Sequence, residues 1–173
     1  MKLNIGCGGG KYGFRNFHCD LNIDIDKPKD KIKSFIRADA QHLPLVDSCI
    51  NEIYASHLIE HLENPHLFEM ESYRCLKDGG GILHLWLPNF LSVNSTLDPT
   101  HVQIYNILRI YKELRNVGFD FNLKFGAGSR IPKIIRKPIH ILINLLCEEL
   151  IIEGIKHTRA CGTIESDRLR TQA

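Results

Sequence analysis

A cluster of glycines near the start of the chain is the first feature that could do chemistry. The run Gly6-Cys7-Gly8-Gly9-Gly10 directly follows the short β-type segment Lys2-Leu3-Asn4-Ile5. Because glycine has no Cβ, such a loop lets a ligand approach the backbone closely at the end of a strand. A glycine cluster alone also fits an ordinary turn, so the assignment needs support from other residues.

An acidic residue at a suitable distance supplies that support. Asp24 lies 18 residues after Gly6, at the end of a second β-type run over residues 20–25. Acids that accept hydrogen bonds from ribose hydroxyls follow a glycine loop by about 20 residues. Asp26 lies two residues after Asp24, so its side chain points to the same side of the strand, and it is the alternative ribose acid. Either carboxylate could instead be a solvated turn residue.

Two further strand ends bring polar residues to the same edge of the sheet. Ala38-Asp39-Ala40 ends a third β-type segment, where Asp39 could present a carboxylate to an adenine amino group while Leu43 covers the ring. A helix cap by Asp39 is the alternative. A fourth strand delivers Ser56 and His57 to the edge where open α/β sheets bind ligands.

Three histidines are candidates for proton transfer. Histidine ordinarily titrates near neutrality, so His57, His61 or His101 could accept a proton from a substrate. We favour His101, in Asp98-Pro99-Thr100-His101, because it begins a predicted helix after a loop expected to border the substrate pocket. A helix cap by Thr100 explains the same segment equally well.

One histidine motif suggests a different chemistry. His57-Leu58-Ile59-Glu60-His61 matches H-x-x-E-H, a zinc-protease pattern whose histidines share one helical face. Here His57 falls at a strand-to-helix junction, so we expect the two imidazoles not to share a face and no metal to be bound. A packed or solvent-exposed His61 is the simpler interpretation, and the pattern leaves the glycine loop unexplained.

Alternating strands and helices must position these residues. The predicted strands cover residues 2–5, 20–25, 34–38, 52–56, 81–87, 119–125 and 149–155, and the predicted helices run from about His57 to Leu76 and from His101 to Asn116. This alternation predicts a parallel sheet flanked by helices. We expect one domain over residues 1–156, followed by a C-terminal tail over residues 157–173.

Composition excludes several classes of protein. With 173 residues, 43% hydrophobic and 24% charged, the chain fits one soluble domain without a membrane span. Its six cysteines are scattered and form no C-x-x-C pair, which argues against a disulfide framework or a cysteine zinc site. Reduced thiols and the lack of a secretory signal predict a cytoplasmic location. Cys7 is expected to serve close packing in the glycine loop.

Charge is distributed unevenly along the chain. Residues 42–98 contain eight acids against Arg74 and Lys77, whereas residues 121–147 contain basic residues and no acid. Within the latter, the segment Ile131–Leu146 is too apolar for a free surface helix. It either packs beside the sheet with the charged ends of its lysine and arginine side chains extended to solvent, or it contacts an anionic or lipid-linked substrate or a membrane surface.

Together these motifs resemble class I S-adenosylmethionine-dependent methyltransferases in order and spacing. The matching segments are residues 3–10, 13–16, 22–26, 39–40, 52–62 and 74–80, within an overall resemblance from about Leu3 to Ile155. The resemblance implies an α/β fold: a three-layer α/β/α sandwich with a mainly parallel seven-stranded sheet and an antiparallel last strand.

The resemblance also implies S-adenosylmethionine as the cofactor. The expected cofactor contacts are Gly6, Cys7, Gly8, Gly9, Gly10, Asp24, Ile25, Asp39, Ala40, Ser56 and His57. Among them the glycines would lie beside the methionyl part, Asp24 on the ribose and Asp39 near adenine, with His57 near the sulfonium. Only 14 residues separate Gly10 from Asp24, so the helix after the glycine loop should be short or missing. The acceptor pocket then needs another lid.

The favoured function is methyl transfer to a small-molecule, glycan or lipid-linked acceptor, with an anionic acceptor as one option. No dedicated nucleic-acid module is visible, and a homo-oligomer is compatible with the sequence. A cofactor-binding regulator or inactive subunit is the alternative, and a zinc hydrolase is less favoured. A nicotinamide oxidoreductase is disfavoured because Lys11 stands where G-x-G-x-x-G requires a last glycine or alanine.

Overall fold

Seven strands form one mixed sheet in the computed structural model, which describes residues 1–8, 17–28, 32–92, 95, 97–124 and 149–158. The strands are β1 (Lys2–Ile5), β2 (Leu21–Asp24), β3 (Phe35–Arg37), β4 (Glu52–Ser56), β5 (Gly81–Pro88), β6 (Asp120–Lys124) and β7 (Glu149–Lys156). Each lies within a residue or so of its predicted segment. The order across the sheet is β3-β2-β1-β4-β5-β7-β6.

Strand direction confirms the predicted sheet. Strands β1 to β5 pair in parallel, whereas β7 lies antiparallel between β5 and β6. From β1 the chain first builds β2 and β3 on one side and then β4 and β5 on the other. The carboxyl ends of β1 and β4 therefore flank the point where the strand order reverses, which is where open α/β sheets bind ligands.

Alternation along the central strands separates a buried face from a partly exposed one. The residues of the buried face are Leu3, Ile5, Ile53, Ala55, Leu83, Leu85 and Leu87, each at most 2% exposed. The other face of β4 and β5 carries Tyr54, His84 and Trp86, whose half-buried rings stack on one another. This alternation follows from the two-residue repeat of a strand. The buried face anchors the sheet beneath the edge that contains the ends of β1 and β4.

The first predicted helix begins later than expected. A 3₁₀ turn (Ile59–His61) follows β4, and helix α1 runs over Pro65–Cys75. The predicted start at His57 is wrong because His57 has a left-handed backbone with φ of +50°. Pro65 instead occupies the first turn of α1, where its missing N–H costs no hydrogen bond.

The second helix also begins later than predicted. Helix α2 covers Ile107–Val117, with the Asn106 side chain capping it through the Arg109 amide at 2.9 Å. The predicted start at His101 is wrong because the amides of Val102 and Gln103 donate to the Glu60 carbonyl rather than within a helix. The predicted end is confirmed, since Gly118 adopts a left-handed φ of +115°.

Several sequence-based expectations lie outside the described residues. They concern Gly9, Gly10, the segment Ile131–Leu146 and most of the predicted tail. The described cysteines, Cys7, Cys19, Cys49 and Cys75, are free thiols. Within the described ranges, no helix combines the length and apolar character needed to cross a bilayer.

Candidate functional site

The glycine loop starts with left-handed backbone at the end of β1. Gly6 has φ of +70° and Gly8 has φ of +60°, conformations that glycine adopts without a steric penalty. A Cβ on Gly6 would lie 3.1 Å from Leu58 Cδ1, so the loop packs closely against the segment that follows β4. The Gly6 amide also donates to the Ile23 carbonyl at 2.9 Å, which ties the loop to β2.

The predicted ribose acid is bonded directly to this loop. Asp24 Oδ2 accepts a 2.7 Å hydrogen bond from the Gly8 amide, and its Oδ1 accepts a 2.9 Å hydrogen bond from the Asp26 amide. Asp26, the alternative acid, is exposed. The two carboxylates are therefore in different environments, with Asp24 facing the loop.

A cleft of about 240 Å³ opens between the ends of β1, β2 and β3 and the turn after β4. Its lining residues are Ile5, Gly6, Asp24, Ile25, Ala38, Asp39, Ala40, Gln41, Leu58, His61, Leu62 and Glu63. Five of the predicted cofactor residues share this cleft: Gly6, Asp24, Ile25, Asp39 and Ala40. Cys7 and Gly8 continue from Gly6 along the same loop, and Asp26 is not a lining residue.

Part of the cleft wall carries no recognisable sequence motif. Gln41, Leu58 and Leu62 line it beside His61, which was predicted for catalysis instead. The apolar residues of the turn after β4 looked like ordinary helix-core positions, because the turn was predicted to be helical. The tight approach of Leu58 to Gly6 is visible only once β1 and β4 are paired.

Asp39 is held in a turn while still lining the cleft. Its Oδ1 accepts a 2.8 Å hydrogen bond from the Gln41 amide, and its carbonyl accepts one from the His42 amide at 3.1 Å. Leu43, expected to cover a ring there, is instead a buried core residue whose amide donates to Glu71 Oε2 at 2.8 Å. Leu43 is not among the residues that line the cleft.

Ser56 and His57 lie at the end of β4, as the sequence predicts, but His57 is held between two carboxylates. Its Nδ1 lies 3.1 Å from Glu60 Oε1 and its Nε2 lies 3.2 Å from Glu149 Oε1. Hydrogen bonds to Glu149 and then Glu60 raise the pKa of His57 to about 9. Both ring nitrogens donate only in the protonated imidazole, so His57 is a cation at neutral pH. It cannot then accept a proton.

His61 and His101 form a pair, although 40 residues separate them in the chain. Their ring centroids lie 4.7 Å apart in an edge-to-face arrangement. His61 Nδ1 lies 3.1 Å from the Thr100 carbonyl, and His101 Nδ1 lies 3.3 Å from the Ser95 carbonyl. Since His61 also lines the cleft, the pair stands at the cleft's border.

The zinc-protease geometry is not formed. His57 precedes the 3₁₀ turn in a left-handed conformation, and its ring is engaged by Glu60 and Glu149. His57 and His61 therefore do not present one helical face, as that pattern requires.

The first half of the chain matches a protein-family model described as a methyltransferase domain, over residues 3–84. This range contains the glycine loop, Asp24, Asp39 and the segment from His57 to His61. None of the curated proteins matches the chain in sequence.

Solved structures share the fold at low sequence identity. An S-adenosylmethionine-dependent methyltransferase from Archaeoglobus fulgidus is 22% identical with a TM-score of 0.63, covering 90% of this chain and 85% of its own. A chain of the complex between the Haloferax volcanii Trm112 methyltransferase activator and a methyltransferase is 14% identical with a TM-score of 0.62, covering 92% and 82%. The [4+2]-cyclase SpnF is 18% identical with a TM-score of 0.60, covering 91% and 74%.

These structural likenesses show the fold alone, and the cyclase illustrates that one fold can carry different reactions. The family match covers all the residues that line the cleft. The chain therefore combines a methyltransferase-domain match over residues 3–84, just under half of its length, with the fold of S-adenosylmethionine-dependent methyltransferases.

Proposed function

We propose that the chain transfers the methyl group of S-adenosylmethionine to a small-molecule, glycan or lipid-linked acceptor. The observation that carries the proposal is the convergence of Gly6, Asp24 and Asp39 on one cleft at the point where the strand order reverses. Each was selected from sequence for a different part of the cofactor. Their meeting in one cavity supports a single bound molecule with those parts.

The cofactor would lie along the edge formed by β1, β2 and β3. The backbone of the glycine loop would approach the methionyl part, and Gly9 and Gly10 would extend that contact. The Asp24 carboxylate, oriented by the Gly8 amide, would accept hydrogen bonds from the ribose hydroxyls. Asp39 and Ala40 would contact adenine, while Leu58 and Leu62 supply apolar surface.

The acceptor would lie on the side of the cleft where His61 meets His101. Methyl transfer is an in-line displacement: the acceptor lone pair forms a bond to the methyl carbon, and the C–S bond breaks with its electron pair remaining on sulfur. Holding the two reactants in line supplies much of the acceleration. His57, already protonated between Glu60 and Glu149, would organise this border rather than act as a base.

Binding and turnover test the proposal separately. Isothermal titration should show binding of S-adenosylmethionine and of its demethylated product, but not of NAD. The purified chain with S-adenosylmethionine and a metabolite extract should then yield a methylated product by mass spectrometry, and Asp24→Ala should lose it. Cofactor binding without any methylated product would favour the alternative of a regulatory or inactive subunit.

The proposed contact of Ile131–Leu146 with an anionic acceptor or membrane rests on its sequence. Replacing Lys133, Arg136 and Lys137 together with glutamine should leave cofactor affinity intact but lower turnover or binding to anionic liposomes. The loss should be largest at low ionic strength, where charges are least screened. If this variant retains wild-type turnover and liposome binding, the basic residues of the segment are only solvated surface residues.

A further inference from the structure

Three side chains with ligand atoms available converge beside the cofactor cleft. Glu60, His61 and His101 each offer one such atom, and these atoms lie within 4.8 Å of one another. We infer that this trio binds a divalent first-row transition-metal ion. The inference rests on the proposed function, because the ion would hold the methyl acceptor.

Glu60 supplies a carboxylate oxygen that the described residues leave without a hydrogen bond. The residue is fully buried, and its Oε1 is engaged by His57 Nδ1 at 3.1 Å. Its Oε2 is buried and has no hydrogen-bond partner among the residues that the structure describes. A buried carboxylate oxygen without a donor is costly, and a cation in contact with it would remove that cost.

Each of the two imidazoles has one ring nitrogen held by a backbone carbonyl. The Nδ1 of His61 faces the Thr100 carbonyl and the Nδ1 of His101 faces the Ser95 carbonyl. Donation to a carbonyl fixes the proton on Nδ1 and leaves a lone pair on Nε2, which is how metal-binding histidines are held in proteins. Asp98 Oδ2 lies 3.9 Å from His101 Nε2 and adds a second carboxylate close to the trio.

Backbone hydrogen bonds hold the trio together across the sheet. The Glu60 carbonyl accepts hydrogen bonds of 3.0 Å from the amides of both Val102 and Gln103. The turn after β4 and the segment after β5 are thereby joined next to the two histidines. The trio differs from the H-x-x-E-H pattern, because His101 replaces His57 as a ligand. This inference replaces the expectation from sequence that the chain binds no metal.

Two imidazole nitrogens and one carboxylate oxygen suit Zn²⁺, Fe²⁺ or Mn²⁺ and leave coordination positions open. An acceptor hydroxyl at an open position would lose its proton to solvent more readily, because the ion lowers its pKa. The resulting oxygen would attack the methyl carbon, forming a C–O bond as the C–S bond breaks and the electron pair stays on sulfur. His61 lines the cofactor cleft, which places such an oxygen beside the donor.

Titration of the chelator-treated full chain with Co²⁺ tests the inference, since Co²⁺ reports its ligands through visible d–d bands. Wild type should bind one Co²⁺ per chain. Glu60→Gln and His101→Gln should each weaken binding by at least roughly tenfold. His18→Gln is the matched control because His18 is an exposed histidine outside the trio, and it should bind as wild type does. Circular dichroism checks that each variant is folded.

Absence of d–d bands in wild type would overturn the inference, as would wild-type affinity in both trio variants. A thiolate-to-cobalt charge-transfer band would overturn it too, by assigning the ion to cysteine. A parallel titration of S-adenosylmethionine into metal-free protein separates the two claims. Cofactor binding without Co²⁺ binding removes only the metal site, whereas Co²⁺ binding without cofactor binding removes the proposed function.

Discussion

The Asp24 carboxylate accepts a 2.7 Å hydrogen bond from the Gly8 amide, so the glycine loop after β1 is bonded to the acid that ends β2. The bond joins the carboxyl ends of the neighbouring parallel strands β1 and β2, beside the point between β1 and β4 where the strand order reverses. It orients Asp24 toward the cleft and leaves the carboxylate with lone pairs for a ligand. The loop and the acid are therefore held together at the edge of the cleft.

Asp24→Ala is expected to weaken binding of S-adenosylmethionine. It removes charge-assisted hydrogen bonds to the ribose, each on the order of 1.5–3 kcal/mol, and the support of the Gly8 amide. Asp26→Ala is the matched control, because Asp26 is exposed and does not line the cleft. Isothermal titration should show the loss only for Asp24→Ala. Equal affinities of the two variants would remove the ribose assignment.

Gly6→Ala should impair both stability and cofactor binding. The left-handed φ of +70° costs an alanine about 1 kcal/mol, and its Cβ would press on Leu58 Cδ1 at 3.1 Å. Gly80→Ala provides the control, since Gly80 also has a positive φ but nothing lies within 4 Å of the added Cβ. Urea unfolding should show both variants destabilised, while titration should show reduced cofactor affinity only for Gly6→Ala. Wild-type cofactor affinity in Gly6→Ala would contradict the prediction, because the loop would then accommodate the added Cβ without losing its cofactor contacts.

His57 should stabilise the fold in a manner that depends on pH. Its folded pKa of about 9 exceeds the ordinary 6.5, so its ion pairs contribute fully below pH 6.5 and are lost as pH rises through about 9. His57→Asn suits the left-handed backbone and removes the charge. Because the side chain is half exposed, we expect a cost of about 1 kcal/mol or less at the lower pH. Urea unfolding below pH 6.5 and above pH 9 should show that the loss in free energy of unfolding caused by His57→Asn disappears above pH 9. A loss that stays constant with pH would contradict the ion pairs.

Glu69 should have the opposite effect on stability. It is fully buried in α1, and burial, followed by the nearby Glu113, raises its pKa to about 8. Below its ordinary pKa of 4.5 the carboxyl is neutral and does not destabilise the fold. As pH rises from 4.5 toward 8 the unfolded chain ionises more readily than the buried group, so the free energy of unfolding falls. Glu69→Gln should therefore become stabilising with rising pH, by on the order of 2 kcal/mol.

Glu71→Gln on the same helix is the control for Glu69. The hydrogen bonds of Arg74 hold the pKa of Glu71 below its usual value, so its stabilisation is present above that value and lost as pH falls. This control should be destabilising at neutral pH and harmless in acid. If urea unfolding shows that the stability change of both variants varies with pH in the same direction, burial does not govern the pKa of Glu69.

Local sequence was sufficient for the strands and for several residues that line the cleft. The apolar alternation of β1, β4 and β5, and the glycines that follow β1, are short-range properties of the backbone. The spacing of Gly6 and Asp24 likewise reflects one strand-loop-strand unit, and both residues line the same cleft. Gly118 also marked the end of α2, because its left-handed conformation is a local preference.

Only the tertiary structure decided the roles of the histidines. His57 becomes a cation through Glu149, which lies 92 residues away on β7. His61 meets His101 because the Glu60 carbonyl captures the amides of Val102 and Gln103, and this capture also prevents the predicted helix from starting at His101. Sequence patterns report local backbone preferences, whereas charge state and ligand geometry depend on which distant groups the sheet brings into contact.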